Sequence, residues 1–174
     1  DTAGVAIRAW TQLRRTPLVI ERRISLDAAG ATLVIDEAVT SEAAHPVEML
    51  WGHHPTFGAP LIEAGSKVDL PACFAVTAET PPPAGTLRPG VRAAWPMLRG
   101  QDLSTIPGDR DNAQDFVRCE DLASGWFAVR NPQRGVGVAV RWDEALFPLL
   151  GYWRVLGGGG DYPWLGGRAM LALG

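Results

Sequence analysis

Two of the chain's three histidines stand side by side in Trp51 to Gly58, WGHHPTFG, hemmed by tryptophan, proline, phenylalanine and two glycines. Imidazole is the side chain that exchanges a proton near neutral pH, and it is also the commonest metal ligand. Three kinds of use are open to the pair. A metal site fits poorly, because neighbours on a strand point to opposite faces and no ligand spacing accompanies them. A hydrogen-bonded imidazole inside a sheet-on-sheet core suits one of the two. A ligand-facing imidazole suits the other: it would stand at the end of a strand, where Pro55 stops the ladder and Phe57 supplies an apolar wall. Alternation then gives one histidine to the cleft and its twin to the opposite side.

Other chemistries lack their residues. The segment GGGGDYPWLGGR has no Gly-Lys-Ser/Thr ending and joins no strand to a clear helix, so it is no phosphate cradle. No Gly-x-Ser-x-Gly elbow presents a nucleophilic serine. The formal net charge is -3 and no run of Lys or Arg breaks the mixed-sign surface, which excludes a nucleic-acid groove. Cys73 and Cys119 match no metal spacing and read as buried free thiols, which fits a reducing, cytoplasmic compartment. No apolar run reaches membrane-spanning length, and the opening residues carry no signal-peptide pattern.

The elements that must position the histidines are strands. At 174 residues and 47% apolar content the chain can bury one core of ordinary size, so a single domain over residues 1–174 is expected. Residues 17–27 (PLVIERRISLD), 31–41 (ATLVIDEAVTS) and 47–54 (VEMLWGHH) carry β-branched or aromatic residues with partial period-two alternation. The AAG before Ala31 predicts a hairpin turn between the first two. Residues 125–143, GWFAVRNPQRGVGVAVRWD, predict the clearest hairpin, turning at Asn131, Pro132 and Gly135. The prolines of TPPPAGTLRPG, residues 80–90, exclude a strand interior or a helix, leaving a surface loop. A short turn is expected around Arg99 to Leu103, and no segment keeps helical spacing over three turns. The class predicted is all-β, an antiparallel β-sandwich.

Trp51 to Gly58, the DF pair at Asp115 and Phe116, the 125–143 hairpin and YPWLGGRAMLAL near the end resemble the aldose 1-epimerase (galactose mutarotase-like) family, in particular its branch with a W-G-H-H-P-x-F-G stretch. The resemblance runs over nearly the whole chain, and the histidine stretch is its most specific part. It implies the antiparallel supersandwich fold, of which this chain would be the middle and C-terminal part. It also implies mutarotation without a cofactor: one group protonates the ring oxygen of a small-molecule aldose while another removes the anomeric hydroxyl proton. The family's acid lies in His-x-x-Phe, matched by His54 to Phe57, so His54 is the implied acid and His53 its alternative or a sugar contact. The family aspartate that holds sugar hydroxyls is matched by Asp115, with Asp111 as fallback. Trp51, Trp153 and Trp164, with Phe57, would give the pyranose an apolar surface, although each tryptophan alone suits core or rim packing better.

The departures are as informative. The family's base is a Glu in a Glu-Pro pair soon after a strand like AMLAL, and neither residue occurs in the sequence after Leu173; Asp161 has no evident orienting partner to replace it. The family's upstream Arg and His at the sugar site have no match before Trp51. The expectation is an incomplete piece of a longer domain, inactive as it stands, with a non-catalytic carbohydrate-binding module as the second reading and a purely structural sandwich as the third.

Overall fold

The computed structural model describes residues 5–27, 29, 31–108, 112–160, 162, 165–167 and 169–174, and every element among them is a β-strand. The strands pair antiparallel throughout, as the alternation and the Gly/Pro turns predict; one isolated parallel bridge joins Ala113 and Gly157. The chain divides into two compact units, residues 1–51 and 52–174.

The first unit is a three-stranded meander of β1 (Ala6–Gln12), β2 (Leu18–Leu26) and β3 (Leu33–Ser41). Its register sets Ile7, Ile24 and Ile35 in one row and Arg8, Arg23 and Asp36 in the next, so successive rows face opposite ways. Arg22 lies opposite Glu37 and forms an ion pair with it. The β2–β3 hairpin falls where the AAG predicts it. The Asp27 N–H donates to the Thr32 carbonyl at 3.0 Å, and the Asp27 carboxylate accepts from the Ala31 and Thr32 N–H groups. Ala28 and Gly30 themselves lie outside the described residues.

The second unit is the sandwich. One layer orders six strands: β4 (Thr56–Phe57), β14 (Ala169–Leu173), β13 (Leu150–Leu156), β10 (Ala113–Leu122), β6 (Ala72–Thr77) and β7 (Arg92–Ala94). The other orders β12 (Val136–Arg141), β11 (Trp126–Asn131) and β5 (Lys67–Asp69). A small hairpin of β8 (Met97–Leu98) and β9 (Gln101–Asp102) turns through Arg99 and Gly100, both at positive φ, which gives the short turn expected there its form. Between the layers lie Val117, Cys119, Tyr152, Leu171 and Leu173 from the first and Val68, Phe127 and Val129 from the second, all essentially inaccessible. Phe57 meets Phe127 edge-on across the gap, ring centroids 5.9 Å apart.

The predicted 125–143 hairpin is β11–β12, and its turn is locked by more than glycine. Asn131 is fully buried; its Oδ1 accepts the N–H groups of Gln133 and Arg134, while its Nδ2 donates to the Pro60 carbonyl at 2.7 Å and to Glu63 at 3.0 Å. Arg134 then closes on Glu63 at 2.8 Å.

Two expectations need correction. Residues 47–54 form no ladder; the pairing near the histidines is confined to Thr56 and Phe57, which join β14 at Ala172 and Leu171. Side-chain alternation survives without the ladder, since residues 51, 53, 55 and 57 are half-buried and 52, 54, 56 and 58 exposed. The thiols are not both buried: Cys119 is, and Cys73 is exposed. Cys119 sits mid-sheet, where burial pushes its thiol up to about 12, whereas Cys73 lies near the start of β6.

Candidate functional site: an aromatic face beside His54

The alternation through 51–57 separates the two histidines as expected. His53 is half-buried and meets Phe147 edge-on, ring centroids 5.5 Å apart. His54 is exposed and leans on Trp153, ring centroids 5.7 Å apart at 52°. A ring that is exposed yet leans on an aromatic neighbour can be reached by a ligand and is restricted in orientation.

The backbone at the histidines is held by close approach. Leu173 donates its N–H to the Pro55 carbonyl at 3.0 Å, and the chain then crosses Gly174. A Cβ at 174 would sit 1.9 Å from the His53 carbonyl oxygen, so only glycine fits under this crossing. Gly174 and Gly151 exchange both backbone hydrogen bonds, at 2.7 and 3.0 Å.

Register decides which candidates share a face with His54. Thr56, Ala172, Trp153 and Phe116 lie in one row across β4, β14, β13 and β10. The next row on the same face carries Gly151, Arg118, Val76 and Arg92. Phe116 is 39% exposed. Its ring reaches diagonally to Gly151, with Cε2 and Cζ 3.1 and 3.4 Å from where a Cβ there would stand. Beyond it, Glu120 pairs with both Arg118 and Arg92, and Arg92 covers the Phe74 ring at 3.5 Å. This outer face is therefore aromatic at the His54 side and self-neutralised at the far side.

Asp115 points the other way. Neighbouring Phe116 faces out, so Asp115 faces the core, 1% exposed, opposite Arg154 in register. Its carboxylate accepts from the N–H groups of Thr86 (2.7 Å) and Leu87 (3.1 Å), from the Thr86 hydroxyl (2.9 Å) and from Arg154 (Nη2, 2.9 Å). Arg154 uses its remaining reach on Gln101 at 2.9 Å. Each group in this network is answered within the fold. Beside it the Tyr152 hydroxyl donates to the Leu103 carbonyl at 2.9 Å, and burial pushes its pKa far above the ordinary tyrosine range. Asp115 and His54 thus lie on opposite faces of one sheet, and the structure does not bring them to a common ligand.

The remaining candidates distribute similarly. Phe57 is turned inward against Phe127. Trp153 is half-buried beside His54, and Trp51 is half-buried at the end of the first unit. Trp164, Asp111 and Asp161 lie outside the described residues. Sequence reading passed over Phe116 as a surface residue, though the signal was present: if Asp115 is inward, its neighbour in a strand is outward. A shallow depression of about 310 Å³ lies elsewhere, on the outer side of the three-stranded layer, lined by Ser124, Trp126, Ala139 and Arg141. Among the described residues, no three His, Cys, Asp or Glu gather as a metal site, and no helix is long and apolar enough to cross a membrane.

Fold and site together define an antiparallel β-sandwich with an exposed His–aromatic face. A family profile described as Domain of unknown function (DUF4432) matches residues 7–164, and the chain belongs to that family. No curated protein matches the chain, and no solved structure does.

Proposed function

We propose that this chain is an aldose 1-epimerase-like sugar-handling domain, with His54 as the acid that protonates the ring oxygen of a bound aldose. The observation that carries the reading is the exposed His54 ring held against Trp153 on an open sheet face. An apolar ring face beside one proton-exchanging group suits a pyranose, whose axial C–H surface is apolar and whose rim is polar. By the resemblance the base would be a Glu of a Glu-Pro pair, which residues 1–174 do not supply after β14, so catalysis is expected only of a chain that carries that pair. Glu120, the carboxylate on this face among the described residues of its strands, is held between Arg118 and Arg92. No cofactor is needed, and the exposed thiol of Cys73 favours a reducing, cytoplasmic setting.

A second reading, a carbohydrate-binding module without catalysis, draws on the inward turn of Asp115: the residue matched to the family's hydroxyl-binding aspartate is committed to Arg154 and Thr86. Polarimetry on freshly dissolved α-glucose or α-galactose, with a chain that carries the Glu-Pro pair after β14, separates the two. A positioned acid or base is worth about 100- to 10,000-fold in rate, so acceleration over a buffer blank that disappears in His54→Ala supports the epimerase. Binding without acceleration supports the module. Absence of both refutes the sugar reading.

A further inference from the structure

We infer that Phe116 is the surface on which the ligand's ring lies, with Gly151 as the residue that makes room for the phenyl ring itself; this rests on the sugar-binding reading above. Phe116 stands in register with Trp153, the ring that holds His54, so the two aromatics border the same stretch of outer face. Trp153 is half-buried and already occupied by His54, whereas Phe116 leaves 39% of its surface to solvent. The Phe116 ring bends over Gly151 and takes the space a side chain there would fill. The space over Gly151 is thus taken by Phe116, and that over its hydrogen-bonded neighbour Gly174 by the His53 carbonyl. A ring laid on the solvent side of Phe116 has an aromatic surface under it and Trp153, the ring that holds His54, on the neighbouring strand. The surrounding charges select the ligand's chemistry. Arg118 and Arg92 are neutralised by Glu120, and Arg92 also by Asp121, so no unpaired cation on these strands awaits a phosphate or carboxylate. The ligand is an uncharged ring with an apolar face.

The test uses methyl β-galactoside and methyl β-glucoside, which cannot mutarotate and so report binding alone, followed by ligand-observed saturation-transfer NMR and chemical-shift titration. Phe116→Ala should weaken binding about three- to tenfold, the range that one aromatic contact supplies. Phe116→Tyr should restore wild-type affinity, and Trp126→Ala, in the depression on the other layer, should change nothing. Galactose 6-phosphate should bind no more tightly than galactose. Because Phe116 is half open, its replacement leaves the core intact, which circular dichroism of the variants checks. Wild-type affinity in Phe116→Ala overturns the inference while leaving the sugar reading in place. Failure of the wild type to bind either glycoside overturns both.

Discussion

The two faces of the six-stranded sheet use polar side chains in opposite ways. On the inner face Asp115, Arg154, Thr86 and Gln101 satisfy one another, and the carboxylate is 1% exposed. On the outer face the exposed His54 ring leans on Trp153, and its carbonyl accepts from the Thr56 hydroxyl at 3.2 Å. Burial makes a charge a structural commitment, because removing its partner strands it in a medium that solvates it poorly. Exposure leaves a group available to something that is not protein. The difference teaches that a polar residue's type says little about its role until its face is known.

The sharpest way to break this contrast is Asp115→Ala, which leaves Arg154 buried without its counter-charge. The expected loss is about 3–5 kcal/mol in denaturant unfolding. A variant that lost less than about 1 kcal/mol and also lost sugar binding would make Asp115 a ligand residue after all. Next is Asn131→Ala, which removes the donor to Pro60 and Glu63 and the acceptor of the turn. About 1–3 kcal/mol should go, since buried partners are left unanswered, with no change in sugar affinity. A smaller effect concerns acid. The hydrogen bonds from Arg134 first, and from Asn131, hold the Glu63 carboxyl below the usual range. Its contribution is therefore present above the unfolded carboxyl value near ~4.3 and fades as pH falls through the lower folded value. Unfolding midpoints of wild type and Glu63→Gln should converge on acidification. The smallest stability effect belongs to His54→Ala, within about 0.5 kcal/mol, even though it removes any anomer exchange. A large loss there would show the ring to be structural.

What the sequence revealed follows from what is local. The β2–β3 and β11–β12 hairpins were legible because turn residues and alternation sit within twenty positions of each other. The divergence of His53 and His54 was legible for the same reason. The missing ladder at 47–54 was not, because alternation records where side chains point and not whether a partner strand exists. Asp115 was misleading because a DF pair looks like one motif, while a strand must send its two members to opposite faces. Its partner Arg154 lies across the sheet, on a strand that no local pattern couples to it.

The pairing of β4 with β14 carries a consequence for how the domain is made. Thr56 emerges from the ribosome long before its partner Ala172, at synthesis rates that separate them by on the order of ten seconds. Throughout that interval the histidine segment has no edge to dock on, and Gly174, the residue it must cross, does not yet exist. The face that carries His54 is thus completed only once β14 has been made. A nascent chain stalled before β14 could hold its β11–β12 hairpin and its Asn131 lock, and its histidine segment would still be undocked.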